Sequence, residues 1–375
     1  MKANVVMIRS NPVRPDSRVE KEAVTLLDAG YNVIILCWDR DENHSPFRET
    51  VNVAGKEIPI IRLGYKATFG EGMKNIVPYL KFQWSIRKWI KENIKQIDIV
   101  HACDFDTAFS IYRLVSRKGK KFVFDIFDFR GGARVNFKEK LLARAQYDII
   151  NKSDATIICT EERKKQIAGS KPKKLVVIHN TPAPFQLQID GSYEVDDKIA
   201  KVCYVGILQD GRLLREIGQY FRDNKNVELH IAGFGYLQPY FEELAKENSN
   251  IMFYGRIAYE KALALEKSCD IMLAIYDPSI ENHRFAGPNK FYESLFLGKP
   301  VIMVKNTGMS DVVAKNEVGA IIDYSYEGFA NGLQSLLKKR DLWPSIGKKM
   351  REIYSNEYSW DEMRTRLLEC YKIIF

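Results

Sequence analysis

Along this chain, short runs of Val, Ile, Leu and Phe alternate with longer stretches whose apolar positions recur every three or four residues. The runs read as strands buried on both faces, and the longer stretches as amphipathic helices. The pattern predicts strands at 4–10, 32–38, 58–63, 98–103, 121–127, 155–160 and 174–180, and a helix at 16–30 that ends on Gly30. At 180–185 the sequence Asn-Thr-Pro-Ala-Pro-Phe breaks the rhythm, and 186–198 is polar, with Gly191 and Ser192. This stretch is expected to be a linker. A second series of strands follows at 201–206, 227–233, 251–255, 271–277, 300–305 and 319–323, and the tail from about 326 is helical, with Ser359 as a natural N-cap. Alternation of this kind implies the α/β class, with two doubly wound, mainly parallel sheets. The expected organisation is a first domain at 1–185, a linker at 186–200, a second domain at 201–345, and helices at 346–375 packing back toward the first domain. Such sheets bind ligands outside the carboxyl ends of their strands, so the two domains are expected to face a cleft.

One helix organises the second series. Pro288 suits its first position and Gly298 the residue just past its end. Phe291 and Leu295 share one face, as do Tyr292 and Phe296, which buries much of the circumference. Asn289, Lys290 and Glu293 are the polar exceptions, set three and four residues apart on a common face. A lysine in a first turn opposes the helix dipole, unless an anion such as a phosphate sits there. With Gly287 and Pro288 leading into the turn, Lys290 and the backbone N–H groups near Asn289 would hold a phosphate, and Glu293 would accept from sugar hydroxyls. The local alternative is a capped helix with a solvated Lys–Glu pair. Earlier, a strand ends at Gly206 and Arg212 follows before a helix, where a planar guanidinium suits a diphosphate; a plain surface arginine is the alternative. Gly233 and Gly235 form a G-x-G at the next strand end, and Arg256 follows Gly255 after another. These could line a nucleotide site or only shape tight turns.

The first series offers fewer candidates. Asp128, beyond the strand at 121–127, either points a carboxylate toward a sugar or caps the next helix. Asp16 and Arg18 lie in the first strand-to-helix loop, and Arg130–Arg134 follows Asp128; each reads as substrate-facing or as ordinary solvated surface. The helical stretch 74–95 mixes Ile76, Tyr79, Leu80, Trp84 and Trp89 with Arg87, Lys88 and Lys91. It reads as packing on the sheet, with an anionic membrane surface as the alternative.

Composition narrows the classes. The net charge of +9 permits a phosphorylated substrate, an anionic membrane or nucleic acid, but no zinc-finger spacing or RNP-like signature supports nucleic acid. Six scattered cysteines lie mostly in apolar runs, so they read as reduced core residues in a cytoplasmic protein, with no metal site. No apolar run approaches the ~18–20 residues of a membrane span.

Taken in order, Gly206…Arg212, Ala232-Gly233-x-Gly235, Phe253-Tyr254-Gly255, Glu293 before Leu295-Phe296-Leu297-Gly298-Lys299-Pro300-Val301, and Tyr358-Ser359-Trp360 resemble family 4 glycosyltransferases. Asp98-Ile99-Val100-His101-Ala102, Phe124–Asp128 and Ile178-His179-Asn180 resemble motifs of the family's first domain. The resemblance implies the GT-B fold of two Rossmann-like domains, and retaining transfer from a nucleoside diphosphate sugar (UDP-, GDP- or another) without a metal. It implies that Glu293 binds the donor ribose as the second glutamate of the family's E-x7-E motif, and that Arg212 and Lys290 contact the diphosphate. Phe285 stands where the first glutamate is usual, giving a Pro-Asn-Lys-x-x-Glu variant. Phe127 replaces the usual histidine, leaving Asp128 as the carboxylate candidate. The expected acceptor is a glycan or lipid-linked glycan, in a cytoplasmic enzyme peripheral to the inner membrane face. The alternatives are a GT-B sugar-nucleotide epimerase and a non-catalytic nucleotide-binding scaffold.

Overall fold

A computed structural model of the chain describes residues 2–14, 16–68, 72–130, 137–183 and 199–375. Residues 131–134 of the expected cationic loop and 186–198 of the expected linker lie outside the described residues. The chain divides into two compact units, Met1–His179 with Met363–Phe375, and Asn180–Glu362.

The first unit carries β1 (Asn4–Arg9), β2 (Asn32–Asp39), β3 (His44–Val53), β4 (Lys56–Gly64), β5 (Ile99–Cys103), β6 (Lys121–Ile126), β7 (Ala155–Ile158) and β8 (Leu175–Val177). Its helices are α1 (Ser17–Asp28), α2 (Ile76–Asn93), α3 (Phe105–Ala108), α4 (Tyr112–Arg117), α5 (Phe137–Lys152) and α6 (Arg163–Gln166). The strands pair in the order β3-β4-β2-β1-β5-β6-β7-β8, and only β3 runs antiparallel to its neighbour. α1 starts where Asp16 accepts from the Val19 N–H, and just past its end Gly30 takes a left-handed φ of 85°. β3 was absent from the apolar pattern because it is a polar, largely exposed edge strand. It joins β4 through Ala54 and Gly55, both with positive φ, as a tight hairpin requires.

α2 divides the apolar residues of its stretch between two faces. Phe82, Ile86 and Ile90 are buried in the core, whereas Ile76, Leu80 and Trp84 are exposed.

The second unit carries β9 (Ala200–Ile207), β10 (Val227–Phe234), β11 (Ile251–Phe253), β12 (Ile271–Ala274), β13 (Val301–Val304) and β14 (Gly319–Ile322). Its helices are α7 (Leu214–Asp223), α8 (Gln238–Glu247), α9 (Tyr259–Ser268), α10 (Asn289–Leu297), α11 (Ser310–Asn316), α12 (Tyr326–Leu337) and α13 (Trp343–Ile353). α14 (Trp360–Ile374) begins in this unit, where the Ser359 hydroxyl accepts from the Glu362 N–H, and from Met363 it belongs to the first. The order β11-β10-β9-β12-β13-β14 is parallel throughout. Along β9 the side chains alternate, Val202 and Tyr204 entering one apolar cluster and Cys203 the other. The chain leaves β9 outward to β10 and β11, then returns to β12 on β9's other side. The carboxyl ends of β9 and β12 therefore flank the switch point where such sheets take ligands.

Candidate active site

At that switch point the second unit gathers two cations and two tyrosines. Lys290 extends from the first turn of α10, with its Nζ 4.9 Å from the centre of the Tyr204 ring and 5.9 Å from that of Tyr276. The Arg212 guanidinium lies 3.9 Å over the same Tyr276 ring. Its Nη1 donates to the Gly211 carbonyl and to His283 Nε2, each at 3.0 Å, and His283 Nδ1 sits 2.9 Å from the Asp277 carbonyl. With Nε2 accepting, Nδ1 carries the proton and donates to Asp277. Tyr204 is fixed in turn by its hydroxyl, which donates to the Ile207 carbonyl at 2.8 Å.

Neither cation meets a carboxylate at ion-pair distance among the described residues, and the Lys290 ammonium has no hydrogen-bond partner there. Ring faces stabilise a cation without neutralising it. Burial alone would lower the Lys290 pKa, but Tyr276, Tyr204 and Glu293 outweigh it and raise the pKa, while Arg212 opposes them. Lys290 thus stays charged beside a second positive group. An anion placed between them relieves that repulsion.

α10 adds backbone donors. Pro288 was expected at the first helical position, but its ψ of 130° is extended, so it is the residue before the helix and Asn289 is the first helical one. Among the described residues no side chain caps this end, so the N–H groups of Asn289 and Lys290 face outward without helical partners. Asn289 is exposed, Pro288 and Gly287 are buried, and the Gly287 carbonyl accepts from the Asn180 amide at 3.2 Å. The other end stops as expected, with Gly298 left-handed at φ 69°.

Glycines permit this closeness. A Cβ on Gly206 would stand 2.7 Å from Lys290 Nζ, and one on Gly233 would stand 1.8 Å from the Gly206 carbonyl oxygen. A Cβ on Gly235 would stand 2.3 Å from the Leu208 carbonyl oxygen. Arg256 is exposed and stacks 4.7 Å over the Phe234 ring at the end of β10.

Glu293 lies one turn behind Lys290 and is only 4% exposed. Its Oε1 accepts from the Tyr259 hydroxyl at 2.9 Å. Glu266 is also buried; burial, then the charge of Glu293, pushes its pKa well above the carboxylate range. The same two causes raise that of Tyr259.

The first unit uses its charges differently. Arg18 was read as substrate-facing or solvated, yet it is buried and grips Asp125 through two bonds of 3.0 and 2.7 Å, with a third to the Ile178 carbonyl at 2.6 Å. Asp16 likewise caps α1 and accepts from Arg9 Nε at 2.8 Å. Burial would raise the Asp125 pKa, but Arg18 and His101 outweigh it and lower it. Glu22, 3.3 Å from Arg18 and 3.6 Å from His101, is pushed up to about 7 by burial and then by Asp125. His101 Nδ1 meets the Tyr371 hydroxyl of α14 at 2.8 Å. His101, Cys103 and Asp125 also have a spacing that could hold a metal ion, but the Arg18 fork already occupies both Asp125 oxygens. Phe127, at the position where the resemblance leads one to expect histidine, packs its ring under Arg9 at 4.1 Å and Arg18 at 4.8 Å. Asp128 is exposed after β6; its N–H donates to Asp104 at 3.0 Å and its carboxylate lies 3.8 Å from Arg163.

The structure therefore joins Gly206, Arg212 and Lys290, with Glu293 directly behind, and places Asp128 in the other unit. Sequence reasoning missed Tyr204, Tyr276, His283, Tyr259 and Glu266. No sequence signal singled these out, and Tyr276 was read only as part of the strand expected at 271–277.

Comparisons with known proteins agree with this architecture. Residues 201–339 match the family described as glycosyl transferases group 1, and residues 18–181 match glycosyltransferase family 4. An uncharacterized glycosyltransferase of Methanocaldococcus jannaschii is 23% identical over 169 residues, 43% of this chain and 42% of that protein, so the match spans less than half of the relative's length. The sucrose-phosphate synthase of Thermosynechococcus elongatus superposes with a TM-score of 0.80 at 15% identity, covering 100% of this chain and 99% of that one. Anabaena HepE in complex with UDP and glucose gives a TM-score of 0.70 at 11% identity, covering 99% and 100%. The catalytic domain of Arabidopsis thaliana starch synthase IV, bound to ADP and acarbose, gives 0.69 at 14% identity, covering 100% and 99%. With one match in each half, and with two doubly wound sheets that superpose on these enzymes end to end, the chain is a GT4-like glycosyltransferase of the GT-B fold.

Proposed function

We propose that this enzyme transfers a sugar from a nucleoside diphosphate sugar to a glycan or lipid-linked glycan, with retention of configuration. The observation that carries the reading is the Lys290 ammonium resting on two tyrosine rings, without a carboxylate or hydrogen-bond partner among the described residues, beside Arg212 and the start of α10. Charge builds on the diphosphate as the glycosidic bond breaks, and fixed cations and N–H groups stabilise it without reorganising. This role needs no metal ion. The Arg212 fork takes two phosphate oxygens, Lys290 a third, and the Asn289 and Lys290 N–H groups the remainder. Glu293, at the base of the site, accepts from ribose hydroxyls, and Gly206, Gly233 and Gly235 let the nucleotide approach the backbone. Arg256 on Phe234 borders the base. Asp128 contributes a carboxylate toward the positive charge developing at the anomeric carbon. HepE is described with UDP and starch synthase IV with ADP, which supports a nucleoside diphosphate here.

The test is a panel of nucleoside diphosphate sugars, read by thermal stabilisation and then by transfer to glycan and lipid-linked acceptors. The expected result is stabilisation by one donor and acceptor-dependent product with the donor's anomeric configuration. Sugar isomerisation without acceptor would make the enzyme an epimerase, and tight donor binding with no turnover would make it a scaffold.

A further inference from the structure

Four of the sixteen large apolar side chains exposed on the described residues, Leu80, Phe109, Leu141 and Leu142, line one groove of the first unit. The groove is about 360 Å³ and is lined by Tyr79, Leu80, Phe105, Phe109, Leu141 and Leu142, from α2, the α3 region and α5. Beside it, Val77 and Trp84 are 57% and 63% exposed. At 100° per residue, Val77, Leu80 and Trp84 lie within roughly 60° of the α2 circumference. Lys81, Lys88 and Lys91 fall on that same face and are exposed, with Glu92 as the acid among them. Lys88 sits 5.3 Å over the Trp84 ring. α5 adds the exposed Lys140 and Arg144.

Soluble surfaces rarely collect apolar side chains in this way unless something covers them. Charge selects the cover. A second copy docked by two-fold symmetry would bring this lysine-bearing face against itself. An anionic lipid surface instead pairs with the lysines, while Trp and Leu enter the boundary between headgroups and chains. No helix among the described residues is long and apolar enough to cross a membrane, so the contact is interfacial.

We infer that the α2–α5 face of the first unit docks on an anionic lipid bilayer, with the groove between Leu80, Phe109 and Leu141 taking a hydrocarbon chain. The inference rests on the proposed function only for the idea that a lipid-borne acceptor is met there. Its test uses neither donor nor turnover, so either reading can fail alone.

The full chain is sedimented with vesicles of phosphatidylcholine, with and without phosphatidylglycerol. Expected is binding to the anionic vesicles, weakened by salt, and reduced by about tenfold or more in Leu80→Glu/Trp84→Glu. Because both positions are exposed, the thermal midpoint should hold; Lys81→Glu/Lys88→Glu gives a second variant that leaves the apolar face intact and should also lose binding. Failure of the wild type to bind anionic vesicles overturns the inference, as does equal binding by both variants. A wild-type dimer that Trp84→Glu dissociates, without vesicle binding, assigns the face to a second copy instead.

Discussion

The two units treat their cations in opposite ways. In the first, Arg18 is closed around Asp125 and Arg9 is held by Asp16 and Asp104, so the charges are consumed in joining α1 to the sheet. In the second, Lys290 and Arg212 rest on tyrosine rings, which hold them in place and leave their charge unspent. A cation paired with a carboxylate builds; a cation held by a ring face can still bind. Burial does not separate the two cases, since Arg9 of the first unit is half-buried like Lys290 and Arg212 of the second. The nature of the partner does.

Substitution breaks this contrast most directly in the first unit. Arg18→Ala leaves Asp125 buried without its partner, and is expected to cost about 3–5 kcal/mol of stability by denaturant unfolding. A loss under ~1 kcal/mol would remove the structural role assigned to that pair. Lys290→Ala should do the reverse, lowering turnover about 100-fold or more while the unfolding midpoint stays put. Arg212→Ala should also chiefly slow transfer and Glu293→Ala weaken nucleotide binding, and unchanged kinetics in both would end the donor-site assignment. Chelation by EDTA is expected to leave turnover unaffected.

pH sharpens the comparison. Glu22 has a folded pKa of about 7, raised above its usual 4.5 by burial and then by Asp125. The folded state therefore holds this proton more tightly than the unfolded chain. The resulting stability is fully present below pH 4.5 and is lost as pH rises through 7. Glu22→Gln should flatten this dependence, gaining roughly 1–2 kcal/mol over wild type at alkaline pH and little in acid. Equal alkaline stabilities would contradict the assignment. The smallest expected effect is Tyr276→Leu, which keeps the apolar volume but removes the ring under Arg212. A loss of about 0.5–2 kcal/mol in donor affinity, with stability nearly unchanged, is expected by calorimetry.

Much of the fold was legible because local chemistry and tertiary position agree. Asp16 caps α1, Gly298 ends α10, and the apolar runs at Ile99–Cys103 and Val301–Val304 are fully buried strands. β3 was not legible, since an exposed edge strand carries no apolar signature. Arg18 looked like a loop residue because nothing near it in sequence announces Asp125, 107 positions away. The candidate site split along the same line. Lys290 and Glu293 were visible as polar interruptions of an apolar helix, and Gly206 as a strand end. Tyr276 and His283 were not, because their contacts with Arg212 depend on how β12 and the following turn return to β9.

α14 has a consequence for synthesis. The Tyr371 hydroxyl reaches His101 across 270 residues, and it closes over the buried cluster of Glu22, His101 and Asp125. At translation rates of 5–20 residues per second, the first unit waits on the order of 10–50 s between the emergence of His101 and that of its last helix. Through that interval the nascent first unit lacks the tyrosine lid over its most highly charged interior, while the whole second sheet is made. The unit that is translated first is the one completed last.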